Sequence, residues 1–237
     1  MATPQQKIFI SYRRDDNRDF VEMIWSYFAR KYGRKNVFLD VDTIPPGVNF
    51  ADYIRKEVEQ CDMVLAIIGP DWLELLNKKR LSYEDDYVLI ELSLALQLDK
   101  LVTPICIMNA ATPKKSELPP ELRPLLKYNA TSLHLGGDFL DKIEHVLEEI
   151  DERFKERAQQ YYESGKVKFE AKDYKGAIAD CTEAIRLYPK YAEAYHGRSM
   201  TQRVQGKPDS ALVDANQAIK FDKHLAKAYY NVRLQKL

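Results

Sequence analysis

The sequence predicts a doubly wound α/β domain, built on a five-stranded parallel sheet, followed by an all-α segment of helical repeats. Short β-rich runs alternate with helical patterns in the first part, and residues 63–68 form the continuous apolar run that a sheet covered on both faces requires. After residue 158 only helical patterns remain, with equivalent positions 34 residues apart. We therefore predict two domains, residues 1–150 and residues 151–237.

The elements of the first domain follow from strand-like and helical patterns separated by turn residues. Gly33 ends the first helical pattern, and Gly69-Pro70 ends the third strand. We predict strands at residues 7–12, 37–40, 63–68, 101–107 and 131–134, helices at residues 18–32, 49–60 and 87–98, and a proline-rich loop at residues 112–124. Residues 138–172 contain one glycine and no proline, so a stiff helical junction is predicted there.

Composition narrows the function classes. An apolar fraction of 45% in 237 residues fits an ordinary globular core. The sequence has no apolar run of about 18 residues and no signal-peptide pattern, so we expect a cytoplasmic protein with no membrane segment. The three cysteines and four histidines lack ligand spacing, which predicts buried thiols and no metal site.

Charge is divided unevenly between the two parts. Residues 1–150 carry 19 basic and 24 acidic residues, whereas residues 151–237 carry 17 and 12. The difference is compatible with head-to-tail association of copies, with an acidic partner for the second part, or with solvated helix surface alone. The basic residues form no dense run, so no nucleic-acid partner is predicted.

The repeats begin at equivalent alanines, Ala158, Ala192 and Ala226. Small residues at helix crossings and a period of 34 resemble tetratricopeptide repeats, with two full repeats and the first helix of a third. The second repeat has Ser199 where glycine is usual and Lys223 where the first has a proline. We expect the array to be truncated, and the resemblance implies an unidentified protein or peptide partner.

Glu91 lies in a helical pattern, residues 87–98, that is apolar around most of its circumference. A carboxylate on a buried face costs several kcal/mol unless it is paired, neutralised by a raised pKa, or placed in a cleft where it serves chemistry. A structural glutamate paired with an arginine, or capping a backbone turn, is the alternative to a functional one.

Three motifs in order, residues 9–15, 38–50 and 85–91, resemble the sequence boxes of Toll/interleukin-1 receptor (TIR) domains, particularly bacterial ones. The resemblance implies a flavodoxin-like sheet and, for enzymatic members, an NAD⁺ glycohydrolase in which Glu91 is the catalytic residue. An aromatic residue lies four positions before that glutamate, and Tyr87 takes a place often held by tryptophan. The sequence contains no glycine-rich dinucleotide fingerprint, so NAD⁺ is expected as a consumed substrate and no cofactor is predicted.

Further residues are candidates for binding the substrate. Arginines at the carboxyl end of the first strand can pair with a pyrophosphate, and aromatic rings can stack on nicotinamide or adenine. The candidates are Tyr12, Arg13, Arg14, Asp42, Trp72 and Tyr87. Ion pairs of the arginines with Asp15 and Asp16, and a packing role for Trp72, remain open.

The loop from Asp42 to Phe50 corresponds to the segment that joins neighbouring TIR domains, so the resemblance implies self-association. Its prolines restrict the backbone, although a rigid surface turn is an equally simple explanation. The predicted assembly residues are Ile44, Pro45, Pro46, Gly47 and Phe50. If no NAD⁺ is cleaved, the alternative function is a non-enzymatic interaction scaffold.

Overall fold

A computed structural model describes residues 6–39, 49–82 and 86–225 of the chain. The chain divides into two compact units, and the division falls between Glu148 and Glu149. The predicted third repeat helix, which begins at Ala226, lies outside the described residues, as do residues 40–48.

A five-stranded parallel sheet forms the first unit, as predicted. The strands are β1 (Ile8–Ser11), β2 (Val37–Leu39), β3 (Met63–Ile68), β4 (Leu101–Ile107) and β5 (Thr131–Leu133). Their order is β2-β1-β3-β4-β5, so β1 and β3 are neighbours and the chain winds outward from them in both directions. In such a sheet the crevice for ligands lies beyond the carboxyl ends of the two strands where the winding direction reverses.

Burial explains the composition of the inner strands. All residues of β1 and β3 are buried, which is why both are apolar almost throughout. Pro104 lies inside β4 opposite Ala66 of β3, whereas pairing with β5 begins only at Ile105. A residue without an N–H is tolerated there because, at Pro104, β4 is paired with β3 but not yet with β5.

Helices cover the sheet. They are α1 (Arg18–Tyr32), α2 (Phe50–Gln60), α3 (Trp72–Ser82) and α4 (Tyr87–Gln97), with a 3-10 helix at Pro120–Lys127. Helix α1 ends where Gly33 adopts a φ of 92°, a conformation that favours glycine. The 3-10 helix begins inside the predicted proline-rich loop, where Pro120 takes the first helical position, which has no use for an N–H.

Helix α4 is buried along one face, as its composition predicts. Val88, Leu92 and Ala95 join the apolar core that also contains Trp72. Glu91 lies on the buried side of the same helix. The helix ends at Gln97, one residue before the predicted end, and Leu98 is 43% exposed.

The second unit is all-helical. Its helices are the carboxyl-terminal part of α5 (Phe139–Glu170), then α6 (Tyr174–Leu187), α7 (Ala192–Val204) and α8 (Pro208–Phe221). Helix α5 covers almost all of residues 138–172, for which a helix is predicted. Ser199, which replaces the usual repeat glycine, is buried and donates its hydroxyl hydrogen bond to the carbonyl of Ala211 at 2.7 Å.

The repeat relation is visible in the contacts between helices. Asp180 accepts a hydrogen bond from Ser164, and Asp214, 34 residues later, accepts two from Arg198, which is 34 residues after Ser164. Equivalent positions in the two repeats therefore make equivalent polar contacts with different donors.

Candidate active site at the carboxyl end of the sheet

The carboxylate of Glu91 lies against the carboxyl end of β1. Ser11, the last residue of that strand, donates its hydroxyl hydrogen bond to Glu91 Oε2 over 2.5 Å. Glu91 is fully buried and Ser11 is 1% exposed. The sheet thus places a polar pair within its apolar surroundings at the edge where ligands bind in this topology.

Both members of this pair are held by regular structure. Ser11 pairs with Ala66 of β3 in the parallel ladder. Glu91 lies near the start of α4, where Asp86 caps the helix by accepting the N–H of Leu89 at 3.1 Å. An N-cap of this kind fixes where a helix begins, so it also fixes which residues face the sheet.

Arg13 is buried two residues after the end of β1. Its Nη2 donates to Oδ2 of Asp86 over 2.7 Å, and its Cζ lies 5.3 Å from the centre of the Trp72 ring. The side chains of Arg13 and Asp86 are only 4% and 5% exposed. The guanidinium group therefore connects the end of β1, the start of α3 and the cap of α4.

A third buried carboxylate, that of Asp16, contacts the loop after β3. Its Oδ1 accepts the N–H of Asp71 at 3.3 Å, and a Cβ on Gly69 would lie 2.2 Å from the same oxygen. Only glycine leaves room for this contact. Burial raises the pKa of Asp16 above its ordinary value, while the hydrogen bond from Asp71 acts in the opposite direction.

The predicted substrate-binding residues differ in exposure and in the contacts they make. Tyr12 and Trp72 are 1% and 0% exposed, so neither ring presents a free face to a ligand in this conformation. Arg13 contacts Trp72 and pairs with Asp86, not with the neighbouring aspartates. Arg14 is exposed and Tyr87 is half-buried.

Most of the predicted loop residues lie in a part of the chain that the structure does not describe. Asp42, Ile44, Pro45, Pro46 and Gly47 lie outside the described residues. Phe50 is the first residue of α2, and Asn49 caps that helix by accepting the N–H of Asp52.

Three residues of this region were missed by the sequence reasoning. Ser11, Asp16 and Asp86 make the contacts described above, yet none was a candidate on its own. A polar residue at the carboxyl end of a buried strand was a usable signal for Ser11. For Asp86, the signal was an aspartate directly before an apolar helical pattern.

The sequence predicts buried cysteines and no metal site. All three cysteines are free and buried, as predicted, and burial raises the pKa of Cys61 to about 12 and that of Cys181 to about 11. Within the described ranges, no group of three or more His, Cys, Asp or Glu side chains could hold a metal ion.

The second unit contains a groove of about 750 Å³ between the end of α5 and α7. Gly165 and Gly197 are part of its lining, and both are closely packed, because added Cβ atoms would lie 3.3 Å and 3.4 Å from Cys181 Sγ. Its wall includes Tyr162, Phe169, Met200, Lys166, Glu170, Glu193, His196, His224 and Leu225. Its surface is mainly apolar, and its lining includes charged residues of both signs.

Comparison with known proteins agrees with both parts of the sequence analysis. A family model described as TIR domain matches residues 8–147. Tetratricopeptide repeat protein 36 of Xenopus tropicalis is 37% identical over 75 residues, which cover 30% of this chain and 37% of that protein. Its homolog in Nematostella vectensis is 36% identical over 73 residues, covering 31% of this chain and 40% of the relative. The chain spans about two fifths of the length of these relatives.

A solved structure, the TPR2AB-domain:pHSP90-complex of yeast Sti1, is 15% identical with a TM-score of 0.33 and covers 94% of this chain and 81% of that chain. The repeat relatives confirm the predicted tetratricopeptide-repeat segment. In the part of the chain that the structure describes, no helix combines the length and apolar character needed to span a membrane.

Proposed function

This chain belongs to the TIR domain family through residues 8–147, and we propose that it is an NAD⁺ glycohydrolase that cleaves the bond between nicotinamide and ribose. The observation that carries the proposal is the position of Glu91. It is a buried carboxylate at the carboxyl end of β1, where a parallel sheet of this order binds its ligands. A carboxylate kept on an apolar face at that edge is costly unless it serves a purpose.

Cleavage of the nicotinamide–ribose bond develops a positive charge that a carboxylate can stabilise. When the bond between C1′ of the ribose and the nicotinamide nitrogen breaks, its electron pair leaves with nicotinamide and an oxocarbenium-like cation develops on the sugar. A negative charge held in a poorly solvated site stabilises such a cation and can engage the ribose hydroxyls. Attack on C1′ by water, with loss of one proton, gives ADP-ribose. Attack by a nucleophile within the same molecule gives a cyclic isomer.

Turnover by this site requires a change of conformation. Glu91 is fully buried, and the rings of Tyr12 and Trp72 are covered. Substrate can reach the carboxylate only when the groups that cover it move, as occurs in enzymes that close or open loops around a site. We propose that self-association of TIR domains through the loop from Asp42 to Phe50 supplies this change, on the basis of the motif in that loop.

The repeat segment is proposed to bind the protein or peptide that promotes assembly. TIR domains and tetratricopeptide repeats generally mediate protein–protein interactions. The support in this chain is the groove between α5 and α7, a concave and mainly apolar surface of the kind that binds ligands.

The test is NAD⁺ turnover with product identification by mass-resolved chromatography, over a wide range of protein concentration. Glu91→Gln keeps the shape of the side chain and removes its charge, so we expect turnover to fall about 100-fold or more. Glu74→Gln is the matched control, because Glu74 is an exposed glutamate on α3 and its loss should leave turnover unchanged. Rates that rise faster than linearly with concentration would support assembly.

A scaffold without enzymatic activity is the second candidate, and the complete burial of Glu91 favours it. A carboxylate that only caps or orients internal structure can be buried in the same way. Folded Glu91→Gln protein with undiminished turnover would refute the catalytic role. No nicotinamide release from folded wild type at high concentration would favour the scaffold.

A further inference from the structure

We propose that Ser11 is a positioning residue that orients the carboxylate of Glu91 for the reaction. The inference rests on the proposed glycohydrolase function and adds a residue to its machinery. Ser11 is not expected to touch the substrate. Its role is to hold Glu91, through a short hydrogen bond, against the rigid end of β1.

The geometry of the pair supports this role. The separation of 2.5 Å lies at the short end of the range of about 2.5–2.7 Å for a hydroxyl that donates to an ionised carboxylate. Both residues are buried, so water does not compete for the contact. A donor on one carboxylate oxygen limits rotation of the group about its last torsion, which is otherwise broad.

Local structure does not account for the contact. Ser11 and Glu91 are 80 residues apart, on a strand and a helix that the fold brings together. Ser26 and Ser199 donate their hydroxyls to backbone carbonyls, and Ser164 donates to the carboxylate of Asp180, 16 residues away. Ser11 donates across 80 residues to the carboxylate proposed for catalysis.

Ser11 is also better anchored than Glu91. It lies in β1, which pairs with β2 on one side and β3 on the other. Glu91 has several rotatable side-chain bonds and extends from a helix. Displacement of a catalytic group by about 1 Å can lower a rate by roughly 100-fold. The fixed strand can therefore set the position of the mobile carboxylate.

Ser11→Ala tests the proposal in the full-length protein. We expect kcat for NAD⁺ cleavage to fall about 10- to 100-fold while KM changes by less than about 3-fold, because the carboxylate remains present but is poorly oriented. Ser11→Thr retains a hydroxyl and should retain most of kcat. Ser93→Ala is the matched control. It removes the same atom from the helix that carries Glu91, and Ser93 Oγ makes no hydrogen bond to any residue that the structure describes.

A second readout does not depend on turnover. The carboxyl carbon of Glu91 can be observed by ¹³C NMR in protein labelled at glutamate, and its signal is identified by its absence in Glu91→Gln protein. Ser11→Ala should shift this signal, whereas Ser93→Ala should not. An unchanged signal in Ser11→Ala would overturn the proposal, as would an unchanged kcat or an effect confined to KM.

The outcomes separate this inference from the proposed function. Wild type that cleaves NAD⁺ in a manner dependent on Glu91 but not on Ser11 would refute positioning alone. Wild type without turnover would refute the glycohydrolase and the positioning role together. A Glu91 carboxyl signal that still shifts in Ser11→Ala protein would then show that the hydrogen bond forms but has only a structural role.

Discussion

The buried ion pair of Arg13 with Asp86 gives the sharpest prediction about stability. Its nitrogen and oxygen are 2.7 Å apart, and the two side chains are 4% and 5% exposed. Removing one partner of such a pair costs about 3–5 kcal/mol, because the remaining charge stays buried without compensation. Asp86 also caps α4 by accepting the N–H of Leu89.

Two substitutions separate these contributions. Asp86→Asn removes the charge but keeps an oxygen that can cap the helix, so we expect a loss of about 3 kcal/mol in the free energy of unfolding. Asp86→Ala also removes the cap and should cost about 1 kcal/mol more. Arg13→Met combined with Asp86→Asn should be more stable than Asp86→Asn alone, because no unpaired charge then remains in the interior.

The assay is urea denaturation followed by tryptophan fluorescence. Both tryptophans of the chain, Trp25 and Trp72, lie in the first unit, so the signal reports on that unit alone. For a slope of about 2 kcal/mol per molar urea, 3 kcal/mol lowers the midpoint by roughly 1.5 M. A shift below about 0.3 M for Asp86→Asn, or a double variant less stable than it, would refute the reasoning.

Three further predictions concern other buried groups. Gly69→Ala should destabilise the first unit by about 1–3 kcal/mol in the same assay, because the new Cβ would lie 2.2 Å from the Asp16 carboxylate; wild-type stability would contradict this. Burial raises the pKa of Asp16, so its ionisation destabilises the folded state as pH rises from 3.8 through the folded pKa. Asp16→Asn should therefore be more stable than wild type at pH 7, and urea midpoints at a series of pH values should show this gap closing as pH falls; a constant gap would be the contrary result. Cys181, 3% exposed with a pKa of about 11, should react with a thiol reagent at pH 8 only as urea unfolds its unit, and rapid labelling of the folded protein, mapped by mass spectrometry, would contradict its burial.

The sequence was sufficient for the elements with the strongest local patterns. Residues 63–68 and 101–107 become strands with the predicted bounds, because long apolar runs between turn residues permit few other structures. Gly33 ends α1 where the pattern indicates. Helix α3 was not predicted, although Asp71 before Trp72 resembles a helix start, since its apolar residues do not form a clean stripe.

The candidate site was only partly predictable for a physical reason. The unusual position of Glu91 is visible in the sequence, because one charged residue interrupts an apolar helical face. Its partner Ser11 is not visible, since no sequence pattern states which strand end meets which helix turn. Arg13 was predicted to bind substrate, and its pairing with Asp86 depends on the same long-range geometry. That substrate-binding role stays a prediction.

The long separation of these partners along the chain has a consequence for how the site comes into being. Ser11 meets a residue 80 positions later, and Arg13 meets one 73 positions later. Contacts of this kind close large loops before they bring any gain, and proteins that depend on them fold slowly. During synthesis from the amino terminus, β1 is complete long before α4 exists. A growing or truncated chain that ends before α4 cannot assemble the site, so the proposed activity requires that both the sheet and its covering helix have been made.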